Sequence, residues 1–579
     1  MKIVLVGAEL EENLGLRYMV SALTQQGHSA VIVPFNEKAE ILQTVEKILI
    51  ELPDIIGLSM VFTSRGREFC HLAEQLRESG FKGHLTCGGH FAAFNCQKLL
   101  ADFSCFDSVA LGEGEELICS LADNLDDLAG VAGFCYRRND GEICLNQGHA
   151  NPENLDALPF PYRTEFHEYY EKPIASVLSS RGCWHACAFC SINAWYRGGG
   201  GKKFRIRSID NIVLEMKKLY HTHGVRIFNF QDDNFFLPDR QQALTRFSEL
   251  RESLRREGVD EIAIAVKARP ESINREVISV LDELGIFRVF LGVENASQRG
   301  LDNLNRKGTV EQIETALTIL NDFDIHVAYN LLMFEPDTTM DDILINLRFM
   351  ERHVDNPFNF CRAEAYACTG LEKKLRDYDI LEGDYFGFDY RIKDDRVETF
   401  HKIVNYAFFD RNFSDFGLHY FNMEVDFSYQ LMRRFYIDRL NEGLRAEVRA
   451  FIKETNVDTH RHLCRIYDLV QSMDPSNTDE VKNSMKEMRH IVDKSSNKLR
   501  IQGQGIMDRL ERAFSEKTLF SVKSGSQYDR APGLTFIDSV FFSDINHEGD
   551  KQSLTDLNFF GSFQEAVPYE LYKSMRRRN

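Results

Sequence analysis

The feature that most constrains this chain is a set of three cysteines, Cys183, Cys187 and Cys190, in the order C-x3-C-x2-C, here called the cysteine triplet. An aromatic residue, Phe189, stands directly before the third cysteine. Thiolates are the usual ligands of iron–sulfur clusters, and a [4Fe–4S] cluster held by three of them keeps one iron without a protein ligand. Such an iron can bind and reduce a second molecule. The spacing therefore predicts a site for chemistry rather than three unrelated core cysteines.

Length and composition place the chain among globular proteins with several domains. It has 579 residues, 43% of them apolar and 27% charged, and a chain of this length predicts about three domains. The formal charge of −19 argues against a general affinity for nucleic acid. No run of about 18 apolar residues is present, so we expect no membrane span. The thirteen cysteines are scattered and odd in number, which favours a reducing compartment, the cytoplasm.

Residues 1–150 alternate short apolar strands with amphipathic helices. Strands are predicted at 2–6, 29–33, 55–60, 84–87 and 108–111. This alternation is typical of a doubly wound, Rossmann-like parallel sheet, which binds ligands at the carboxyl ends of its strands. Small or polar residues stand at those ends, among them Ser59, Gly88, Gly89 and Glu113. Because glycine lets a large ligand approach the backbone, we expect a ligand-binding face there.

A stretch rich in proline at 151–169 predicts a linker, and a second strand–helix series follows over 170–370. Its strands are predicted at 174–179, 225–230, 261–266, 287–291, 325–333 and 358–366. Six strand–helix units predict a partial or complete parallel (β/α)6 barrel of the TIM type, whose site lies at the carboxyl ends of the strands. The cysteine triplet follows the first of these strands, where a catalytic cofactor would be expected.

Residues 371–579 have a different pattern. Helices are predicted at 427–454, 460–473 and 479–508, so we expect a mainly helical third domain. We expect it to close the mouth of the barrel and to meet the substrate there. Candidate substrate contacts are Tyr366, Cys368, Thr369 and the aromatic loop 385–390, although core packing explains the aromatic side chains as well.

These motifs resemble two known families. Residues 170–370, with the cysteine triplet, resemble the radical S-adenosylmethionine (SAM) superfamily. Residues 1–150 resemble the cobalamin-binding domain that often precedes it. The resemblance implies a [4Fe–4S] cluster on the cysteine triplet and SAM bound to the open iron through its amino and carboxylate groups. It also implies cobalamin (vitamin B12) on the N-terminal sheet and Phe189 close to the adenine of SAM.

Further SAM contacts are implied position by position. Many radical SAM proteins carry a Gly-Gly-Glu stretch after the second barrel strand, and this chain has Gln-Asp-Asp-Asn-Phe there. Asp232 or Asp233 would therefore accept hydrogen bonds from the SAM ammonium. Arg269 ends the third strand and would pair with the SAM carboxylate. Glu294 ends the fourth strand and would bind the ribose hydroxyls.

The resemblance is less complete in the cobalamin-binding domain. Many such domains carry Asp-x-His-x-x-Gly, whose histidine is the lower ligand of cobalt. The corresponding residues 10–15 contain no histidine, so the lower ligand is left open. Ser59, Gly88, Gly89 and Glu113 match positions that line the nucleotide tail of the cofactor.

The resemblance implies an enzyme, and three functions stay open. The first is cobalamin-dependent radical methylation of an unactivated carbon, or of phosphorus, in a small metabolite or natural-product intermediate. The second uses both cofactors without methyl transfer, in a rearrangement, a ring contraction or an oxidative cyclisation. The third is a cobalamin or iron–sulfur sensor or assembly protein without turnover. Expected partners are a small-molecule substrate and an electron donor such as flavodoxin or ferredoxin, with the chain a monomer or weak oligomer.

Overall fold

The computed structural model describes residues 1–518, apart from residues 147, 149–150, 199 and 415–416. Two seven-stranded sheets and a set of long helices make up this part of the chain. The expected fold class is confirmed: a Rossmann-like N-terminal domain, a partial barrel and a mainly helical C-terminal part. The rest of the predicted third domain, residues 519–579, lies outside the described residues. No helix within the described ranges is long and apolar enough to span a bilayer.

The N-terminal sheet has the strand order β2-β1-β3-β4-β5-β6-β7. Its strands are β1 (Lys2–Gly7), β2 (Ser29–Pro34), β3 (Ile55–Ser59), β4 (His84–Gly88), β5 (Ser108–Ala110), β6 (Phe134–Arg137) and β7 (Ile143–Asn146). Its helices are α1 (Leu14–Gln25), α2 (Ile41–Ile50), α3 (Gly66–Glu78), α4 (His90–Phe94), α5 (Cys96–Asp102) and α6 (Gly114–Asp123). Strands β1 to β5 are parallel and β6–β7 add an antiparallel hairpin that the sequence reading did not predict. The central strands are buried on both faces, which explains their nearly unbroken apolar sequences.

The second sheet forms the barrel, in the order β16-β15-β14-β13-β12-β9-β8. The strands of this region are β8 (Glu168–Tyr169), β9 (Lys172–Val177), β10 (Ser180–Gly182), β11 (Phe204–Ile206), β12 (Ile227–Phe230), β13 (Ala263–Ala268), β14 (Ile286–Leu291), β15 (His326–Phe334) and β16 (Phe358–Arg362). The helices are α7 (Ser191–Gly198), α8 (Ile209–His223), α9 (Arg240–Arg256), α10 (Arg275–Leu284), α11 (Gln298–Asn303), α12 (Val310–Asp322), α13 (Met340–Arg352) and α14 (Gly370–Asp377). Strands β9 and β12 to β16 are parallel, and β16 does not pair with β8. The barrel is therefore open on one side.

Local signals explain where the barrel helices begin and end. The side chain of Ser208 accepts from the N–H of Asn211 and caps the start of α8, and Asn274 caps α10 in the same way. Each of these helices ends at a glycine in the left-handed region, Gly224 with φ 70° and Gly285 with φ 107°. Glycine adopts this conformation without a steric penalty. These glycines end the helices shortly before the next buried strand.

The C-terminal part contributes a hairpin and four long helices. They are β17 (Leu381–Asp384), β18 (Gly387–Tyr390), α15 (Asp395–Phe413), α16 (Leu418–Tyr436), α17 (Glu442–Ser472) and α18 (Thr478–Thr518). Helix α16 is buried on all sides, and its Phe427 and Leu431 pack against Ile174, Ile227 and Ala263. These are residues at the amino-terminal ends of barrel strands. We expected the third domain at the barrel mouth, whereas α16 closes the opposite end, and the capping role stays a prediction.

Replacing Phe427 with alanine should remove much of this closure. The ring of Phe427 lies 5.3 Å from that of Tyr169 and 5.2 Å from that of Phe287. Because Phe→Ala changes in a core cost about 3–5 kcal/mol, we expect the free energy of unfolding to fall by that amount. Urea unfolding followed by circular dichroism measures it. The matched control is Ile437→Ala at a position that is 67% exposed. Equal stability of the two variants would contradict the packing of α16.

The buried His419 on α16 should make stability depend on pH. Burial lowers the pKa of His419 to about 4, whereas an unfolded histidine titrates at about 6.5. As the pH falls, His419 therefore takes up a proton in the unfolded chain before it does so in the folded one. The stability that the neutral, buried His419 allows is complete above pH 6.5 and is lost as the pH falls towards 4. The stability difference between the wild-type protein and His419→Gln should change by up to about 3 kcal/mol over that interval. Urea unfolding at several pH values measures it, with exposed His71→Gln as control. A difference that does not vary with pH would contradict the account.

Candidate active site between the two sheets

The cysteine triplet lies on the loop between β10 and α7, just beyond the carboxyl end of β9. Strand β10 ends at Gly182, whose φ is +85° and whose Cβ, if present, would collide with the carbonyl oxygen of Lys203. A glycine is therefore required directly before the first cysteine. The middle of the loop is held by Ala188, whose N–H donates to the carbonyl of Leu304 (2.8 Å) and whose carbonyl accepts from the N–H of Leu371 (2.7 Å). The loop is thus fixed at its start and in its middle.

Two arginines point to the sulfur of Cys187. Arg269 Nη1 lies 3.2 Å and Arg306 Nη1 lies 3.6 Å from Cys187 Sγ, and all three residues are buried. Burial raises the pKa of the Cys187 thiol to about 11, and Arg269 opposes this shift. Burial likewise raises the pKa of Cys183 to about 11 and that of Cys190 further. Guanidinium donors suit sulfurs that become thiolates when they bind iron.

The cysteine triplet fits an iron–sulfur cluster better than a single metal ion. Every cysteine in the described part of the chain is a free thiol. No three His, Cys, Asp or Glu side chains there converge closely enough to hold one ion. The three thiolates of a [4Fe–4S] cluster bind three different iron atoms, so they need not converge on one point. Three free thiols on one loop, with guanidinium donors beside Cys187, are compatible with such a cluster.

The structure separates the two aspartates that the sequence left as alternatives. Asp232 is fully buried and accepts from the backbone N–H of Ser179 and from the hydroxyls of Ser179 and Ser180, at 3.1, 2.7 and 2.5 Å. Asp233 accepts from the N–H of Gly182 at 3.1 Å and lines an internal cavity. Burial raises the pKa of Asp233 to about 6, so it stays largely ionised at neutral pH. Of the pair, Asp233 is the one available to a ligand.

The other predicted SAM contacts gather around Cys187. Arg269 is already engaged: its Nε lies 2.5 Å from Glu271 Oε1 and its Nη2 donates to the carbonyl of Arg306. Glu294, with φ 63°, follows β14, and its Oε1 lies 3.6 Å from Arg306 Nη2. Burial raises the pKa of Glu294 to about 7. Phe189 is buried in the barrel core. Their roles toward SAM stay predictions.

A cavity of about 360 Å³ lies between the two sheets. On the N-terminal side its lining includes all four predicted cobalamin contacts, Ser59, Gly88, Gly89 and Glu113. On the barrel side its lining includes Arg181, Ile192, Trp195, Tyr196 and Asp233. Two of these residues, Arg181 and Ile192, stand two positions before and two positions after the cysteine triplet. The cavity joins the ligand-binding ends of both sheets.

His90 also lines this cavity. It is a histidine outside residues 10–15, the region where the expected cobalt ligand is missing. Its ring centroid lies 4.5 Å from that of Trp195 on α7, and burial lowers its pKa to about 4. The side chain of Asn13, in the region of the missing motif, caps α1 instead by accepting from the N–H of Leu16. The lower ligand of cobalt stays open.

Buried ion pairs tie the N-terminal domain to the cysteine loop, and sequence reasoning missed them. Arg181, two residues before Cys183, lies 3.0 Å from Glu113 Oε2 and 2.5 Å from Glu115 Oε1. Arg205 on β11 forms a second ion pair with Glu113. The carboxylate predicted as a cofactor contact is therefore also a link between domains. Its partners could not be read from a strand-end motif.

Several of the predicted substrate contacts have structural partners in the protein. Cys368 is exposed, and Thr369 caps α14. In the aromatic loop, Tyr385 donates to Asp102 of the N-terminal domain at 2.7 Å. Cys361 on β16 lies near two carboxylates of the barrel, those of Glu364 and Glu294. Burial, and then the charges of these two groups, raise the pKa of the Cys361 thiol. No sequence motif marked Cys361.

Two family models match the chain in the order of its two sheets. The model of the B12 binding domain matches residues 2–122, and that of the radical SAM superfamily matches residues 177–350. The chain belongs to the cobalamin-binding radical SAM enzymes. Its cofactors are accordingly a [4Fe–4S] cluster, SAM and cobalamin.

Individual relatives of this enzyme are about one quarter identical to it over the aligned residues. The uncharacterized methyltransferase PH0819 of Pyrococcus horikoshii is 26% identical over 373 residues, 62% of this chain and 77% of that protein. The anaerobic magnesium-protoporphyrin IX monomethyl ester cyclase of Rubrivivax gelatinosus is 26% identical over 339 residues, 55% of this chain and 58% of the cyclase. The solved structure of the cobalamin-dependent SAM radical enzyme OxsB with aqua-cobalamin bound has a TM-score of 0.63 at 17% identity, covering 91% of this chain and 82% of OxsB. That likeness concerns the fold.

Removing Arg181 should loosen the cobalamin-binding domain from the cysteine loop. Arg181→Met leaves Glu115 buried without its partner, and breaking a buried ion pair costs about 3–5 kcal/mol. We expect the free energy of unfolding to fall by that amount and the Kd for hydroxocobalamin to rise by roughly tenfold, about 1.4 kcal/mol. Urea unfolding and a spectroscopic titration measure the two effects. The control, Arg138→Met, removes a surface ion pair and should change neither. An unchanged Kd in Arg181→Met would contradict the coupling.

Proposed function

We propose that this enzyme transfers a methyl group from SAM, by way of cobalamin, to a carbon or phosphorus atom of a small molecule. The observation that carries the proposal is the cavity that reaches from Gly88 and Gly89 on the N-terminal sheet to Asp233 beside the cysteine triplet. When bound, the cluster supplies the electron that cleaves SAM, and cobalamin supplies the methyl group. One cavity bordered by both binding regions suits a reaction that needs both cofactors at one substrate.

The chain's own residues would bind and orient SAM beside the open iron. Asp233 offers a carboxylate to the ammonium group, and Arg269 offers a guanidinium to the carboxylate. Glu294 can exchange hydrogen bonds with the ribose hydroxyls, because a carboxyl group with a pKa of about 7 both donates and accepts near neutral pH. Phe189 gives the adenine an apolar surface. These four residues lie around Cys187 and the carboxyl ends of the barrel strands.

Much of the surface of the cavity is apolar. Apolar side chains from both domains line it, among them Leu16, Met19, Val61, Ile192 and Trp195. An apolar lining would limit the access of water to a bound substrate and so reduce side reactions. A small-molecule substrate could reach this partly open cavity, and an external low-potential donor such as flavodoxin or ferredoxin would supply the electron.

A second candidate function is supported by the likeness to the Rubrivivax gelatinosus cyclase. In this alternative both cofactors are used, but the substrate undergoes oxidative cyclisation and gains no methyl group. Methyl transfer is favoured by the name of the Pyrococcus horikoshii relative, of which this chain covers the larger share.

Methyl-labelled SAM separates these functions. The reconstituted enzyme, with hydroxocobalamin and a reductant, is incubated anaerobically with a small-molecule extract of the source cells. We expect the label to enter one product that is resolved by mass spectrometry, because methyl transfer moves the labelled group. Cys187→Ala should abolish both SAM cleavage and labelling, and Cys464→Ala on α17 should retain both.

Two results would contradict the proposal. SAM cleavage with a modified but unlabelled product would favour cyclisation or rearrangement. Full complementation of a deletion strain by Cys187→Ala would indicate a protein that acts without turnover.

A further inference from the structure

Arg306 lies beside the cysteine triplet, and no motif in the sequence points to it. The loop that follows α11 carries it, and only 5% of its surface is exposed. Its Nη1 lies 3.6 Å from Cys187 Sγ. The same loop supplies the carbonyl of Leu304 that binds Ala188 within the triplet. Arg306 is therefore part of the wall around Cys187.

Contacts other than Cys187 fix the direction of this guanidinium. Its Nη2 donates to the carbonyl of Gly292, and its own carbonyl accepts from Arg269. A Cβ at position 292 would lie 2.5 Å from Arg306 Nη2, so a glycine leaves the room that the guanidinium occupies. Glu294 Oε1 lies 3.6 Å away. The donor is thus held in place before any cluster binds.

One nitrogen of Arg306 has no partner. Its Nε is buried and makes no hydrogen bond in the structure. A buried N–H without an acceptor is costly, and a group with acceptor atoms that binds beside it would satisfy it. An iron–sulfur cluster on Cys187 brings sulfur acceptors into this region. The orphaned donor and the contact from Nη1 to Sγ therefore point to the same group.

The charge around Cys187 matters because the cluster gains an electron. A [4Fe–4S] cluster on three thiolates is anionic, and its reduction potential depends on hydrogen bonds to sulfur, nearby charge and solvent exposure. Of the two arginines, Arg269 shares its charge with Glu271, to which its Nε binds at 2.5 Å. The carboxylate nearest to Arg306 is that of Glu294, at the longer distance of 3.6 Å. Arg306 thus brings the less compensated positive charge to Cys187.

We propose that Arg306 tunes the cluster: its guanidinium donates to the Cys187 sulfur and stabilises the reduced, more negative state. The step is the transfer of one electron from a low-potential donor to the cluster, without any group transfer. Arg306 would therefore affect how readily the cluster accepts the electron that is later used to cleave SAM. This role does not depend on whether the enzyme transfers a methyl group, so its test is independent of the proposed function.

The test is a redox titration of the reconstituted full-length protein without SAM, followed by electron paramagnetic resonance of the reduced cluster. Arg306→Gln removes the charge, and Arg306→Lys keeps the charge but loses the planar donor geometry. We expect the equilibrium constant for one-electron reduction to fall at least tenfold in Arg306→Gln, which corresponds to a potential about 59 mV lower. Arg306→Lys should fall between that value and the wild type. The matched control is Arg299→Gln on α11, where the side chain is 51% exposed, and it should keep the wild-type potential.

Iron and sulfide content and circular dichroism accompany each titration. A fully loaded Arg306→Gln with the wild-type potential would overturn the proposal. If that variant fails to load, a loaded Arg306→Lys with the wild-type potential would overturn it equally. Loss of the cluster in both variants, with an unchanged circular dichroism spectrum, would assign Arg306 to cluster retention and would also overturn a tuning role.

Discussion

The buried ion pairs of Arg181 with Glu113 and Glu115 join the N-terminal sheet directly to the loop that carries the cysteine triplet. Arg181 stands two residues before the first cysteine of the triplet, and both carboxylates follow the last parallel strand of the N-terminal sheet. Desolvating these charges is costly, so they persist because each has its partner. This link, together with the pair of Arg205 and Glu113 and the pair of Arg163 and Glu12, holds the cobalamin-binding edge against the barrel. Arg181 and both of its carboxylate partners also line the cavity between the sheets.

The rest of the molecule supports that junction from a distance. Helix α16 covers the amino-terminal end of the open barrel, where its Phe427 packs against residues of several strands. The opposite end is left for cofactors and substrate. The hairpin β17–β18 adds a second bridge, since Asp384 pairs with Arg67 and Tyr385 with Asp102. The amino-terminal ends of the barrel strands are thus packed against α16, and their carboxyl ends face the cofactors and substrate.

Much of this could be predicted from local sequence, and the remainder could not for physical reasons. The cysteine triplet and the alternation of strands and helices are short-range patterns, so the fold class and the cluster site follow from them. The pairing of Arg181 with Glu113 joins residues far apart in sequence, and no period encodes it. Helix α16 buries polar side chains such as Asp426 as well as apolar ones, so its sequence pattern does not show which face meets the barrel. Arg306 comes from a loop whose course only the fold determines. The SAM roles of Asp233 and Glu294 stay predictions.

The central claim is that cobalamin in the cavity between the sheets and the cluster on the adjacent cysteine triplet bind side by side. Electron paramagnetic resonance of the protein holding both the reduced cluster and cob(II)alamin tests it most directly, because two unpaired electrons in neighbouring sites broaden each other's signals. The account predicts a spectrum that differs from the sum of the two singly loaded forms, and recovery of that sum when Arg181→Met loosens the junction. A simple sum in the wild-type protein, with both cofactors bound in full, would contradict it.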